Sequence, residues 1–186
     1  MPAPAAADEG DVMDTLLPLA EGIAARLMER GETVAVAESS TGGLIAAALL
    51  AVPGASAYFL GGAVVYTYRA REALLGIGAD DMKGRRAATE PYAALVAARV
   101  RDRHGATWGL AETGAAGPSG NRYGDPAGHV CIAVAGPASH AATMATGNAD
   151  RRANMRAFAA HALKQLGEAM ARHHPRSVGS PPPLPT

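Results

Sequence analysis

Three hydroxyl side chains stand in a row at Ser39-Ser40-Thr41, between the apolar run Val34-Ala35-Val36-Ala37 and the pair Gly42-Gly43. That order predicts a buried strand, a turn, and a helix from Leu44 to Ala51 that stops at Pro53-Gly54. Open α/β sheets bind ligands at the carboxyl ends of their strands. A helix start also offers free backbone N–H groups and a positive dipole end, suited to a phosphate, a carboxylate or a developing oxyanion. A serine at such a turn suits a nucleophile, with neighbouring amides as its oxyanion hole. The same three residues equally suit a plain helix cap, which is the commoner use of the local pattern.

Two other stretches carry polar chemistry. Thr113-Gly114-Ala115-Ala116-Gly117-Pro118-Ser119-Gly120 reads as a glycine-rich loop leaving a strand at Thr107 to Ala111. It lies at the same sheet edge as Ser39 if the two strands are parallel. No Gly-Lys-Ser/Thr follows it and no helix starts after it, so it is neither a Walker loop nor a dinucleotide fingerprint. Tyr66-Thr67-Tyr68-Arg69-Ala70-Arg71 reads as a strand end with two phenols and two guanidinium groups, whose forks match phosphate or carboxylate. Arg151, Arg152 and Arg156 open the last helix and are placed to meet an anion. The six histidines show no metal-ligand spacing. The single cysteine, Cys131, excludes an intramolecular disulfide and a cysteine zinc cluster.

The elements that must position these groups follow from apolar spacing and Gly/Pro punctuation. Helices are expected over Asp11 to Arg30 (with Pro18 inside), Arg69 to Leu75, Glu90 to His104, and Asp150 to His173. Further strands are expected over Ala63 to Tyr68, Val130 to Ala135 and His140 to Ala145, the last two joined around Gly136-Pro137. Interleaved strands and helices imply an α/β sandwich with a largely parallel sheet and an antiparallel portion near residues 129–146. One domain is expected over residues 11–174, with disordered tails at 1–10 and at the proline-rich 175–186.

Composition narrows the function classes. Of 186 residues 48% are hydrophobic but only 4% aromatic, so the core must be built from Ala, Val, Leu, Ile and Met. A formal net charge of zero argues against nucleic acid held by counterion release. All 17 basic residues except Lys83 and Lys164 are arginines. No apolar stretch reaches the roughly 18 residues of a membrane span, and the acidic N-terminus lacks a secretory apolar region. A cytoplasmic protein with no membrane partner is expected.

In order along the chain, these stretches resemble the C-terminal domain of the CinA competence/damage-inducible family, which also exists as stand-alone nicotinamide mononucleotide deamidases. The likeness rests on Glu38 to Gly43, Pro53-Gly54-Ala55-Ser56, Gly62 to Tyr66, Gly114 to Pro118 and Pro126-Ala127-Gly128, and covers about Leu16 to Leu166. It implies a three-layer α/β/α sandwich with a mixed, largely parallel sheet. It also implies hydrolysis of the carboxamide of a small-molecule pyridine mononucleotide, without metal or cofactor, and a homo-oligomer. Ser39 maps onto the family nucleophile, with the amides of Thr41, Gly42 and Gly43 around the oxyanion. Ser56, Thr113, Gly114 and Arg152 join those three as expected substrate-binding residues.

The family reads Tyr-Ser-Asn-Glu-Ala-Lys where this chain has Tyr66 to Arg71, so the lysine base is replaced by Arg71. Arginine stays protonated and is a very poor base. Arg71 is then a holder of phosphate or carboxamide or a polariser of Ser39, and Tyr66 is the remaining candidate for proton transfer. The catalytic candidates are Ser39, Tyr66 and Arg71, and Arg71→Lys is expected to raise turnover. The alternative is a weakened family member that acts as a mononucleotide-binding or regulatory module.

Overall fold

The computed structural model describes residues 12–173; the tails expected to be disordered, at 1–10 and 175–186, lie outside the described residues. The elements run α1 (Val12–Arg30), β1 (Val34–Glu38), α2 (Leu44–Ala51), β2 (Phe59–Val64), α3 (Tyr68–Leu75), α4 (Glu90–His104), β3 (Trp108–Ala115), β4 (His129–Ala135), β5 (His140–Ala145) and α5 (Arg151–Arg172). Short 3-10 turns at Ala55–Ala57 and Asp80–Met82 complete the set. The five strands form one sheet in the order β2-β1-β3-β4-β5. Strand β1 is parallel to both β2 and β3, whereas β4 runs antiparallel to β3 and β5. The sheet is mixed, with the antiparallel part where the strand pair at 129–146 was expected.

Side-chain alternation explains the three layers. Val34, Val36, Trp108, Leu110, Val130 and Ile132 face α1, α2 and α5, and form one core with Leu16, Leu27, Phe158 and Leu163. The intervening Ala35, Ala37, Ala111, Cys131 and Ala133 face α4, and pack with Tyr92, Val96 and Val100. Small residues on that second face let α4 approach closely. A Cβ at Gly109 would overlap the carbonyl oxygen of Ala97 on α4. Trp108 is fully buried, and its indole N–H donates to Glu32 Oε2 at 2.8 Å.

Two boundaries differ from the sequence expectation. The strand expected over Ala63 to Tyr68 lies earlier, at Phe59–Val64. Tyr66 and Thr67 leave the sheet, and the Thr67 hydroxyl caps α3 by accepting from the Ala70 amide at 3.1 Å. The β-favouring composition of Val-Val-Tyr-Thr-Tyr is overridden there by the cap. The glycine-rich loop also begins later, because β3 continues to Ala115 with Thr113 and Gly114 paired to Cys131 and Val130.

Candidate active site

Because β1 and β3 are parallel, with Ala37 opposite Ala111, the Ser39 turn and the Thr113-Gly114 end of β3 meet at one sheet edge. Two buried carboxylates organise that edge. The first, Glu38, closes β1 and caps α2: Oε2 accepts from the Gly43 and Ile45 amides at 2.9 and 3.1 Å, and Oε1 from the Ala46 amide at 2.8 Å. An anionic side chain thus occupies the positive end of α2. No hydroxyl of the Ser-Ser-Thr run caps the helix, so the plain-cap reading of those residues does not hold. The position is taken by Gly43, at φ 107°, which has no side chain to offer.

The second carboxylate, Glu112 on β3, is 1% exposed and reaches across to the turn. Its Oε2 accepts from the Ser39 amide at 3.0 Å, the Thr41 amide at 3.0 Å and the Thr41 hydroxyl at 2.9 Å. Its Oε1 accepts a short bond from the Ser40 hydroxyl. Burial raises the Glu112 pKa, and these donors, Ser40 foremost, pull it back. The consequence for Ser39 is specific. Ser40 and Thr41 are buried with their hydroxyls committed to Glu112, while the Ser39 hydroxyl makes no hydrogen bond among the described residues. Ser39 stands half-buried on the wall of a cleft of about 370 Å³ that Tyr66, Tyr68, Thr113, Asn121 and Tyr123 also line. Of the amides expected around an oxyanion, Thr41 and Gly43 are bound to carboxylates, which leaves Gly42.

Other expected residues are sorted by the fold. Thr113 and Gly114 line the cleft, and the Thr113 hydroxyl accepts from the Ala88 amide at 3.3 Å. Ala88 is the one non-glycine residue with positive φ (57°) among the described residues, and it also lines the cleft. Tyr66, 59% exposed, borders both this cleft and an adjoining cavity of about 230 Å³. There Arg151, not Arg152, reaches the site: it donates to the Gly117 carbonyl at 2.9 Å and to the Tyr66 hydroxyl at 3.3 Å. Arg152 is exposed beside Asp150, the α5 cap, and is absent from both linings. Ser56 is not brought to the site. It precedes β2, which starts opposite Val34 at the far end of β1 from Ser39.

Arg71 is also outside the Ser39 cleft lining. Its guanidinium is buried, stacked on the rings of Tyr68 at 5.1 Å and Tyr92 at 5.8 Å, and donates through Nε to the Ile77 carbonyl at 3.1 Å. The stack continues through Arg122, 5.1 Å from the Tyr68 ring and 5.8 Å from that of Tyr123, to Arg86, 5.4 Å from Tyr123. Arg86 forms a two-point pair with Asp125 at 2.5 and 3.0 Å, which holds the Asp125 carboxyl down at about 2. The residues missed in the sequence are therefore Glu112 and the Asn121-Arg122-Tyr123 wall, while of the arginines expected to meet an anion it is Arg151 that reaches Tyr66 and not Arg152, the one expected to bind substrate. Only the wall had a local signal: Asn121 and Asp125 frame a turn, with Asn121 Oδ1 accepting from the Tyr123 and Asp125 amides at 2.9 and 3.1 Å. Among the described residues no group of three His, Cys, Asp or Glu converges as a metal site, and no helix is long and apolar enough to cross a membrane.

The fold and cleft define a single-sheet α/β domain with its candidate site at the carboxyl edge of the parallel strands. This chain belongs to the CinA C-terminal domain family, whose profile matches residues 16–170. It is 44% identical over 148 residues to a CinA-like protein of Anaeromyxobacter sp. (strain K), a match that spans 80% of this chain and 36% of that protein. It is 50% identical over 111 residues to a CinA-like protein of Prochlorococcus marinus (strain MIT 9313), across 60% of this chain and 26% of the relative. The chain thus spans about a quarter to a third of the length of these relatives. A CinA superfamily crystal structure from Klebsiella pneumoniae superposes with a TM-score of 0.78 at 27% identity, covering 88% of this chain and 100% of that one. A competence/damage inducible protein from Agrobacterium tumefaciens gives 0.75 at 31% identity, covering 83% and 95%.

Proposed function

We propose that this chain is an amidohydrolase of the nicotinamide mononucleotide deamidase type, with Ser39 as nucleophile. The observation that supports this reading is the division of labour among three adjacent hydroxyls. Glu112 takes those of Ser40 and Thr41, and the Ser39 hydroxyl is left toward the cleft. Ser39 Oγ attacks the carboxamide carbon and forms an ester, and the departing ammonia carries the hydroxyl proton. Water then hydrolyses the ester to nicotinate mononucleotide and returns Ser39.

A second reading is favoured by the cleft lining. Its side chains include no histidine, carboxylate or lysine, and hydrogen bonding with Tyr68 and burial raise the Tyr123 phenol further above neutrality. General-base assistance is typically worth roughly 10²–10⁴ in rate. Turnover is expected to be slow for that reason, and a mononucleotide-binding or regulatory module is the limiting case. The test is ammonia release from nicotinamide mononucleotide by the wild type and Ser39→Ala, alongside the ligand-induced rise in melting temperature. Slow release that vanishes in Ser39→Ala is the expected result. A melting-temperature rise without release establishes the binding module instead, and neither effect at millimolar ligand overturns both readings.

A further inference from the structure

We propose that the arginine-lined pocket against Tyr68 is an anion subsite of the Ser39 cleft, and that it takes the phosphate monoester of the ligand whose carboxamide faces Ser39. The second clause rests on the mononucleotide reading above; the first does not.

The pocket, about 240 Å³, is lined by Tyr68, Arg71, Met82, Arg85, Arg86 and Tyr123. Tyr68 and Tyr123, whose hydroxyls lie 2.7 Å apart, belong to its wall and to that of the Ser39 cleft. The key group is Arg71. It is only 6% exposed, and its Nη1 is buried with no hydrogen-bond partner. Among the described residues no carboxylate pairs it, so two aromatic faces, the Ile77 carbonyl and the Tyr92 hydroxyl are its whole compensation. A buried charge is normally paired, and an orphaned buried donor calls for an explanation.

Its neighbours accentuate the imbalance. Arg86 is neutralised by Asp125, whereas Arg85 donates to the Asp81 carbonyl at 3.0 Å and acts on the Asp81 carboxylate only through space. The Asp81 carboxylate is engaged by Arg99 and the Gly78 amide, at 2.9 and 3.0 Å. In a chain of zero formal net charge, Arg71 thus has no carboxylate partner at this pocket, and Arg85 has only a share of Asp81, which Arg99 binds directly. Guanidinium forks and phenol hydroxyls around a small cavity match the several acceptor oxygens of a phosphate group. This gives Arg71 a binding role where the family pattern has a base.

Isothermal titration calorimetry with inorganic phosphate, nicotinamide mononucleotide and nicotinamide riboside tests the assignment. The wild type is expected to bind the mononucleotide at least about tenfold more tightly than the riboside, since charge-assisted contacts to a phosphate are worth at least that. Arg71→Met and Arg85→Gln should each remove most of this difference and leave riboside affinity unchanged. Arg85 is exposed, so Arg85→Gln decides the matter if Arg71→Met fails to fold. Equal affinity for mononucleotide and riboside, or variants that keep the wild-type preference, would overturn the subsite while leaving the amidohydrolase reading intact. Phosphate binding that depends on Arg71 and Arg85, with no response to either pyridine compound, would sustain the subsite and overturn the pyridine reading.

Discussion

The backbone amide of Ser39 donates to the side chain of Glu112 at 3.0 Å, across 73 residues of sequence. That bond ties the end of β1 to β3 and sets the attitude of the turn on which Ser39 stands. The same carboxylate collects the Thr41 amide and the hydroxyls of Ser40 and Thr41. Removing it leaves these donors without an acceptor in a buried place. Glu112→Ala should therefore cost at least about 3 kcal/mol in urea unfolding, given roughly 1–3 kcal/mol for each buried orphan.

Glu112 also predicts a pH dependence. Its pKa in the folded chain is raised above the ordinary 4.5 by burial. The folded state then binds more protons than the unfolded state just above that value, so stability falls as pH rises. The contribution is fully present below pH 4.5 and is lost as pH climbs through the raised value. Glu112→Gln has no such titration. The difference in melting temperature between wild type and Glu112→Gln should shrink as pH rises through this window, and a constant difference would refute the shift.

Asp125 acts with the opposite sign. Its pKa is held at about 2 by Arg86 and Asn121, so its stabilisation is present above pH 3.8 and lost as pH falls toward 2. The pair therefore stabilises the fold at neutral pH, by an amount that solvent screening at the half-exposed Arg86 reduces. Arg86→Gln should remove that at neutral pH and leave acid unfolding below pH 3 nearly unchanged, as measured by circular dichroism across pH.

Glu38 replaces the expected hydroxyl cap of α2 with a carboxylate that receives three amides. Glu38→Ala should destabilise by about 2–3 kcal/mol, beyond an ordinary cap loss, because the site is also buried. Loosening of α2 should appear as faster amide hydrogen exchange at Ile45 and Ala46.

Arg71→Lys looked from the sequence like a restored base. Arg71 instead packs against Tyr68, outside the lining of the Ser39 cleft. A lysine there should leave kcat for ammonia release within about threefold of wild type, far short of the gain a general base provides. A tenfold or greater rise would show that the side chain swings into the cleft.

Gly109 sits where α4 crosses β3, and a methyl group there meets the Ala97 carbonyl. Gly109→Ala should cost more than about 2 kcal/mol by forcing α4 off the sheet. Its effect on the Ser39 turn, across the sheet edge, should be secondary to that loss of stability.

The sequence alone determined the order and limits of most elements. Leu44–Ala51 and Glu90–His104 are helices with the boundaries their apolar spacing and stop residues indicated. Helix periodicity, glycine and proline act within a few residues, so such signals survive without a tertiary context. The motif at Glu38 to Gly43 likewise pointed to the family to which the chain belongs and to the turn that lines the cleft. What only the tertiary structure decided is which of three adjacent hydroxyls remains free, because the deciding acceptor, Glu112, comes from another strand. It also decided that Arg151 and not Arg152 reaches Tyr66 in the cavity beside the cleft, since neighbours on a helix point about 100° apart. Ser56 and Arg71 looked as close to the chemistry as Ser39 does. The parallel register of β1 and β2 sends Ser56 to the opposite sheet edge, and the packing of α3 on α4 draws Arg71 between Tyr68 and Tyr92. Both outcomes depend on how separate elements meet, and local residue patterns carry no record of that.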